Sequence, residues 1–274
     1  MKNNELKRIA YARRLDVLDM VKKANAGHIG GSMSCMDILV CLYYEIMNTG
    51  KILVHDVERD RFILSKGHCA EALYAVLADN GFISKDILQT FAVFDTILAG
   101  HPVKKVNGIE FATGSLGHGL SVSVGMGIAL KNDSNPAKIY VLMGDGEQSE
   151  GSVWEAVMAA SKFKLDNLIA IIDRNKLQIS GNTEDIMPLN DLAMKYTSFG
   201  WTVRICNGHE PVEIINAITE SRPHNMPLLI IAETVKGYGS EVMENKADWH
   251  HAVPNDAEYI QIKTDLETRR NNCG

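Results

Sequence analysis

No apolar run in this 274-residue chain approaches the roughly 20 residues that cross a bilayer, so no membrane-spanning helix is expected. Basic residues are not in excess: 28 Lys and Arg stand against 34 Asp and Glu, for a formal charge of −6. That balance speaks against a nucleic-acid partner, because phosphate-backbone binding shows as a basic face or stripe. Cysteine is scarce. Cys35, Cys41, Cys69, Cys206 and Cys273 form no CxxC pair and no zinc-like spacing, and read as free thiols of a reducing compartment. No internal repeat, low-complexity tract or long linker divides the chain. The opening MKNNELKRIAYARRLD is charged and amphipathic, unlike a signal sequence, and points to a cytoplasmic protein.

What is present is an ordinary globular composition, 46% hydrophobic and 23% charged, with alternating helix-like and strand-like segments. Leu6, Ile9, Ala10, Leu15, Leu18 and Val21 recur at helical spacing before the glycine-rich stretch from Ala24 to Ser32 breaks the pattern. A second helix is predicted from Ser34 to Met47, with Ser34 as its cap and Asp37 as the acidic partner at N3. A strand over 61–65 and a helix from Ala70 to Asp79 follow. AKIYVLM (137–143) and NLIAII (167–172) read as buried strands joined by a helix from Val153 to Phe163, a βαβ unit and hence a parallel sheet. Strands at 201–206 and 228–234 flank a helix from Pro211 to Arg222. The expected fold class is α/β: one domain over 1–274, a doubly wound, mainly parallel sheet with helices on both faces, and a polar tail over 263–274 that frays.

Ligands of such sheets gather beyond the carboxyl ends of the strands. Asp145, in Gly144-Asp145-Gly146, follows one predicted strand, and Asn175, in Asp173-Arg174-Asn175, follows its neighbour thirty residues later. A βαβ crossover returns both to one edge of the sheet. Two hard oxygen ligands there suit Mg²⁺ or Ca²⁺, and magnesium completes its octahedron with phosphate oxygens and water. The N-terminus of the next helix favours an anion, so a metal-bridged diphosphate is the inferred ligand. The acidic residues Glu147 and Glu150 strengthen a functional reading of this turn over a simple N-cap. His28, His68, His101 and His118 each directly follow a glycine, a context that allows close approach to a ligand, and are expected to form the wall of one pocket.

Taken together the motifs resemble the N-terminal, diphosphate-binding part of transketolase, from about residue 5 to 260. GHIGGSMS at His28, LSKGH at His68, GHP at His101, TGSLGHG at 113–119, GDGEQSEGSVWEA from Gly144, DRN ending at Asn175, and KGYGS followed by WHHAVP occur in that order. The resemblance implies a thiamin diphosphate-binding fold, with Asp145, Asn175 and the Leu177 carbonyl holding Mg²⁺ and Ca²⁺ as a substitute. It places Gly144, Gly146 and Glu147 at the diphosphate, and His68 and His250 at the diphosphate and reacting carbon. Gly114 and Leu116 would lie beside the aminopyrimidine, His28 and His101 in the sugar channel, and Glu150 at a subunit contact.

Ile29 stands where the family commonly has proline, and His118 where it usually has Gln. His251 replaces the glycine that usually follows the active-site histidine, which leaves His250, the preferred residue, and His251 as candidates. The pyrimidine-binding and C-terminal domains of a full-length transketolase would have to come from a second subunit, in an α2β2 heterotetramer. The activity implied is transfer of a two-carbon ketol unit from a ketose, such as a sugar phosphate, to an aldose. Half of a deoxyxylulose phosphate synthase-like or 2-oxo acid dehydrogenase-like enzyme, or a non-catalytic cofactor-binding module, are the alternatives.

Overall fold

Five strands form at the predicted apolar runs in the computed structural model, which describes residues 1–273: β1 (Arg61–Leu64), β2 (Ile139–Gly144), β3 (Leu168–Arg174), β4 (Thr202–Asn207) and β5 (Leu228–Glu233). They pair in the order β1-β2-β3-β5-β4, every pair parallel. The helices are α1 (Asn3–Ala24), α2 (Ile29–Ser34), α3 (Met36–Cys41), α4 (Thr49–Leu53), α5 (Ala70–Asp79), α6 (His118–Asn132), α7 (Gly151–Lys162), α8 (Thr183–Ile186), α9 (Leu192–Ser198), α10 (Pro211–Thr219) and α11 (Asp256–Asn271).

Period-two alternation divides the strand side chains between two cores. Tyr140, Leu142, Ile169, Ile171, Leu228 and Ile230 enter one core with residues of α1, α3, α5 and α10. Val141, Met143, Ala170, Ile172, Leu229 and Ile231 enter the other with α6, α7 and α9. Burial on both faces is why the central strands read as unbroken apolar runs. The chain runs outward from β3 through α9 to the edge strand β4, then back through α10 to β5. With one crossover hand preferred, that reversal requires α9 and α10 to lie on opposite faces, as they do. No helix of the described residues is long and apolar enough to cross a membrane.

Three expectations are corrected. The single helix over 34–47 is instead α2 and α3, parted at Cys35, followed by a π-helical turn at Leu42–Ile46. Ser34 caps nothing: it ends α2, and its hydroxyl lies 2.9 Å from the Gly31 carbonyl and 2.6 Å from Asp173 Oδ2, both acceptors. Asp37 is buried against Arg14 and His209, whose proximity holds its carboxyl down at about 2 against the opposing effect of burial. The polar tail is not frayed over 263–271. It belongs to α11, which begins with an Asn255–Glu258 capping box and lies along α1 with Ile262 and Leu266 buried. Two such side chains contribute roughly 3–6 kcal/mol, enough to hold an otherwise polar helix.

Candidate active site

The carboxyl ends of β1, β2, β3 and β5 open onto one cavity of about 440 Å³. β1 delivers Lys66 and His68, β2 delivers Gly144, Asp145 and Gly146, β3 delivers Asn175 and Leu177, and the loop after β5 delivers Lys236. His28 and His250 complete the wall, with Gly114, Leu116, Glu147 and Glu150 along the side facing α6 and α7.

Asp145 and Asn175 meet as the βαβ argument requires. Asp145 Oδ2 accepts the Lys176 N–H at 2.6 Å and Arg174 Nη1 at 3.1 Å, while Oδ1 accepts the Gly146 N–H at 2.8 Å. Asn175 is oriented on both sides: Oδ1 accepts from the Leu177 N–H at 3.1 Å, and Nδ2 donates to Asp173 Oδ2 at 3.3 Å. Behind them Asp173, fully buried, is bonded to Lys66, Ser34 and Thr234.

A divalent cation fits these groups chemically. Burial, and after it the neighbouring Asp173, push the Asp145 carboxyl above its ordinary range in spite of Arg174, a shift that a cation bound to the carboxylate would oppose. The donors are one carboxylate, one amide and one carbonyl, all hard oxygens. Among the described residues no cluster of three His, Cys, Asp or Glu could hold a metal alone, so a cation here would need further ligands from outside the chain. The wall itself is closely packed at a glycine: a Cβ on Gly31 would sit 2.7 Å from Cys69 Sγ, 3.6 Å from Lys66 Nζ and 3.7 Å from His68 Nε2.

His28, His68 and His250 line the far end of the cavity and belong to a cluster of imidazoles centred on His28. Its ring centroid lies 5.3 Å from that of His68, 6.0 Å from His101, 5.7 Å from His250 and 4.6 Å from His251. Both members of the His250–His251 pair therefore reach the cluster, but they differ. His250 lines the cavity and lies 2.9 Å from Lys236 Nζ through its Nδ1, whereas His251 is exposed against the outer face of His28. An ammonium has no lone pair, so Lys236 donates, and the His250 proton is left on Nε2. Burial and the nearby Lys66 lower Lys236 to about 8. Burial first, then Lys236 and His68, lower His250 to about 3; burial and His68 lower His28 to about 4.

Both rings are thus neutral bases through physiological pH. The unfolded chain takes up protons below about 6.5 that the native rings refuse, so their contribution to stability is lost as pH falls from about 6.5 through about 4 for His28 and about 3 for His250. Ring-resolved NMR of the full chain is expected to give midpoints below about 5 for both. A midpoint near the ordinary imidazole value for either would contradict this environment.

Other expected site residues lie apart or are engaged differently. His118 does not join the wall: it is exposed at the head of α6, on a separate groove with Phe111, Ser121 and Ser152. Gly117, at φ +83°, makes the turn there, but the helix directs the ring away. His209, which also follows a glycine, is interior, stacked on Tyr238 at 3.5 Å. Glu147 lines the cavity with its carboxylate already bonded to Ser65 and to the N–H groups of Gly117 and Gly144, tying three loops together. Glu150 is exposed at the rim. Lys66 and Lys236, given no role from sequence, are almost fully buried at the cavity, and the strand-end rule that found Asp145 applies equally to both.

Strand order and crevice define a parallel α/β protein with a cavity beyond the strand ends, where ligands of such sheets gather, lined by both Asp145 and Asn175. A family profile described as "Transketolase, thiamine diphosphate binding domain" matches residues 5–272, and the chain belongs to that family, with its thiamin diphosphate-binding fold. It is 49% identical over 261 residues to a protein of Phocaeicola vulgatus named as a subunit of an apulose-4-phosphate transketolase, covering 93% of this chain and 92% of that one. To the 6-deoxy-6-sulfo-D-fructose transketolase subunit SqwG of Clostridium sp. it is 41% identical over 252 residues, 90% of each chain. The solved transketolase of Campylobacter jejuni superposes with a TM-score of 0.89 at 30% identity over 100% of this chain and 46% of that one. The chain therefore spans under half the length of that structure.

Proposed function

We propose that this chain is the diphosphate-binding subunit of a two-chain, thiamin diphosphate- and Mg²⁺-dependent transketolase that moves a two-carbon ketol unit from a ketose to an aldose. The observation that carries this reading is the single cavity with hard oxygen donors and two buried ammonium groups at one end and the His28, His68 and His250 imidazoles at the other, with His101 and His251 beside His28. Thiamin diphosphate, when bound, supplies the nucleophilic carbon and electron sink for cleaving a bond beside a ketone. The protein's part is placement and proton management.

Asp145, Asn175 and the Leu177 carbonyl hold the metal, with Ca²⁺ an acceptable substitute for these oxygens. Lys236 and Lys66 add positive charge beside the diphosphate, Gly144 and Gly146 let the backbone approach it, and Gly114 and Leu116 bound the aminopyrimidine side. His68 and His250 face the reacting centre. His28 and His101 hold the sugar hydroxyls and, being neutral, accept and return protons there. Glu150, at the rim, contacts the partner.

Relatives of nearly this length are named as transketolase subunits, which supports a second polypeptide that supplies the pyrimidine-binding and C-terminal domains in an α2β2 assembly. Their names carry a phosphorylated or a sulfonated ketose, so the favoured donor is a ketose with a terminal anion. A tagged chain isolated with Mg²⁺ and thiamin diphosphate is expected to bring down one further chain in equal amount, and the pair to transfer a ketol unit from a phosphorylated or sulfonated ketose. Release of CO₂ from pyruvate with no action on ketoses would overturn the assignment.

A further inference from the structure

Three histidine loops are tied to one helix. His68 lies at the head of α5, and the first turn of α5 carries Glu71, whose side chain is fully buried. Its Oε1 accepts the His28 backbone N–H at 2.7 Å, and its Oε2 accepts the Ser32 hydroxyl at 3.0 Å. One turn on, the buried Tyr74 hydroxyl is shared between the carbonyls of Ala99 at 2.9 Å and His101 at 3.0 Å. Residues 71 and 74 share a helix face, so one rigid element sets His28 from one side and His101 from the other.

A dry carboxylate is costly unless it is paired or fully hydrogen-bonded. Among the described residues Glu71 forms no ion pair; the Cys69 thiol and the Tyr74 phenol interact with it electrostatically, and His28 meets it through its backbone N–H. Burial and the Cys69 sulfur raise its pKa to about 7, while the bonds from His28 and Ser32 draw it back. Its effect is local to the turn before α2. Gly27 takes φ +151° there, and a Cβ would strike Glu71 Oε1 at 2.7 Å and Val21 Cγ2 at 2.6 Å. α2 has no side-chain cap, and Glu71 bonds the N–H of its N-cap residue from a neighbouring helix, as the acid of a capping box does from within its own.

We propose that Glu71 is a positioning residue acting through His28: its carboxylate latches the Gly27–His28 turn and holds the His28 ring at the centre of the imidazole cluster. Tyr74 does the same for the His101 loop. The use of that cluster for sugar chemistry rests on the functional reading above, whereas the latch itself does not.

The test uses the isotope-labelled full chain between about pH 5.5 and 8.5, a range that brackets the Glu71 midpoint. As Glu71 ionises, the His28 amide proton moves with a midpoint near 7, because its acceptor gains charge. Glu71→Gln, which retains an acceptor for that N–H, flattens the titration and leaves the fold intact. Stability has a definite sign. The native carboxyl keeps a proton that the unfolded chain releases near 4.5, so the stabilisation is present below 4.5 and lost as pH rises through 7. Glu71→Gln is therefore expected to gain in melting temperature over the parent as pH rises from about 5.5 to 8. With the partner chain, Glu71→Gln lowers kcat severalfold at about pH 8 and leaves KM for cofactor unchanged, while Tyr74→Phe compounds the loss non-additively. An unchanged His28 titration in Glu71→Gln, or none in the parent protein, overturns the proposal. If the titration behaves as stated but no variant, nor the parent pair, acts on ketoses, the latch stands and the transketolase reading falls.

Discussion

Asp145→Ala is expected to abolish Mg²⁺-dependent retention of thiamin diphosphate, weakening it at least a hundredfold, about 2.8 kcal/mol at roughly 1.4 kcal/mol per tenfold. The argument begins with charge. Asp145 is the anionic member of a donor set otherwise made of an amide and a carbonyl, and neutral oxygens alone hold Mg²⁺ poorly against its hydration shell. It also organises the turn, through the N–H groups of Lys176 and Gly146. Asp145→Asn separates the two contributions, since the amide oxygen can still accept from the backbone while the charge is gone. Binding lost in both variants assigns the effect to charge; binding restored in Asp145→Asn assigns it to geometry. The fold is expected to survive, because Arg174 keeps Glu184 at 2.8 Å and the Thr183 hydroxyl at 2.6 Å after Asp145 is removed. Calorimetric titration of the assembled pair, with Mg²⁺ and with chelator, makes the measurement, and equal cofactor affinity in Asp145→Ala and parent would sink the metal assignment.

His68→Ala is expected to lower turnover by about 10² to 10⁴, the usual worth of a positioned acid–base group. His68 stands where the two ends of the cavity meet. Its ring is 5.3 Å from His28 and 5.2 Å from His250, and the loop that carries it places Lys66 against Asp173. The helix beneath is held by Leu73, Ala75, Val76 and Leu77, all buried and all untouched by the substitution. Deleting a half-buried ring should cost about 1 kcal/mol, a shift of roughly 2–4 °C for a domain of this size. A large loss of turnover with a small change in melting temperature is thus the expected pair of results, measured with the partner chain and an anionic ketose donor. Turnover within about threefold of the parent would return His68 to a packing role.

Legibility in the sequence follows from how local each cause is. The strands at 137–143, 167–172 and 228–234 match β2, β3 and β5 to within two residues, because burial on both faces writes an unbroken apolar run that turn residues bound. The helix from Ala70 to Asp79 matches α5 to the residue. α6 is not legible as a helix because its glycines at 119, 125 and 127 have poor intrinsic helix propensity; packing of Leu120, Val124 and Leu130 against the second core overrides it. α11 reads as a fraying tail because its two buried side chains are outnumbered by charges, and only α1 running alongside makes them a face.

The site divides the same way. Asp145 and Asn175 are legible as polar residues at successive ends of parallel strands, and His28, His68, His101 and His250 through their motifs. His118 shares the glycine-flanked signature and lies elsewhere, since the glycine shapes only the turn while the following helix aims the ring. The strand-end rule places Lys66 and Lys236 but not their burial, and Glu71 is legible in identity but not in place: a charged residue looks the same in sequence whether it meets water or a dry cavity.

The amino-acid sequence by itself determined the parallel α/β class, the family motifs and the pairing of Asp145 with Asn175, because each depends on hydrophobic period, chain direction and short-range spacing. The tertiary structure alone decided which histidines meet, that two buried lysines line the same cavity as Asp145, and that one carboxylate in α5 is bonded to the His28 turn. Those depend on contacts between segments distant in the chain, such as His28 with Glu71 and Lys66 with Asp173, which burial enforces only once both cores have closed.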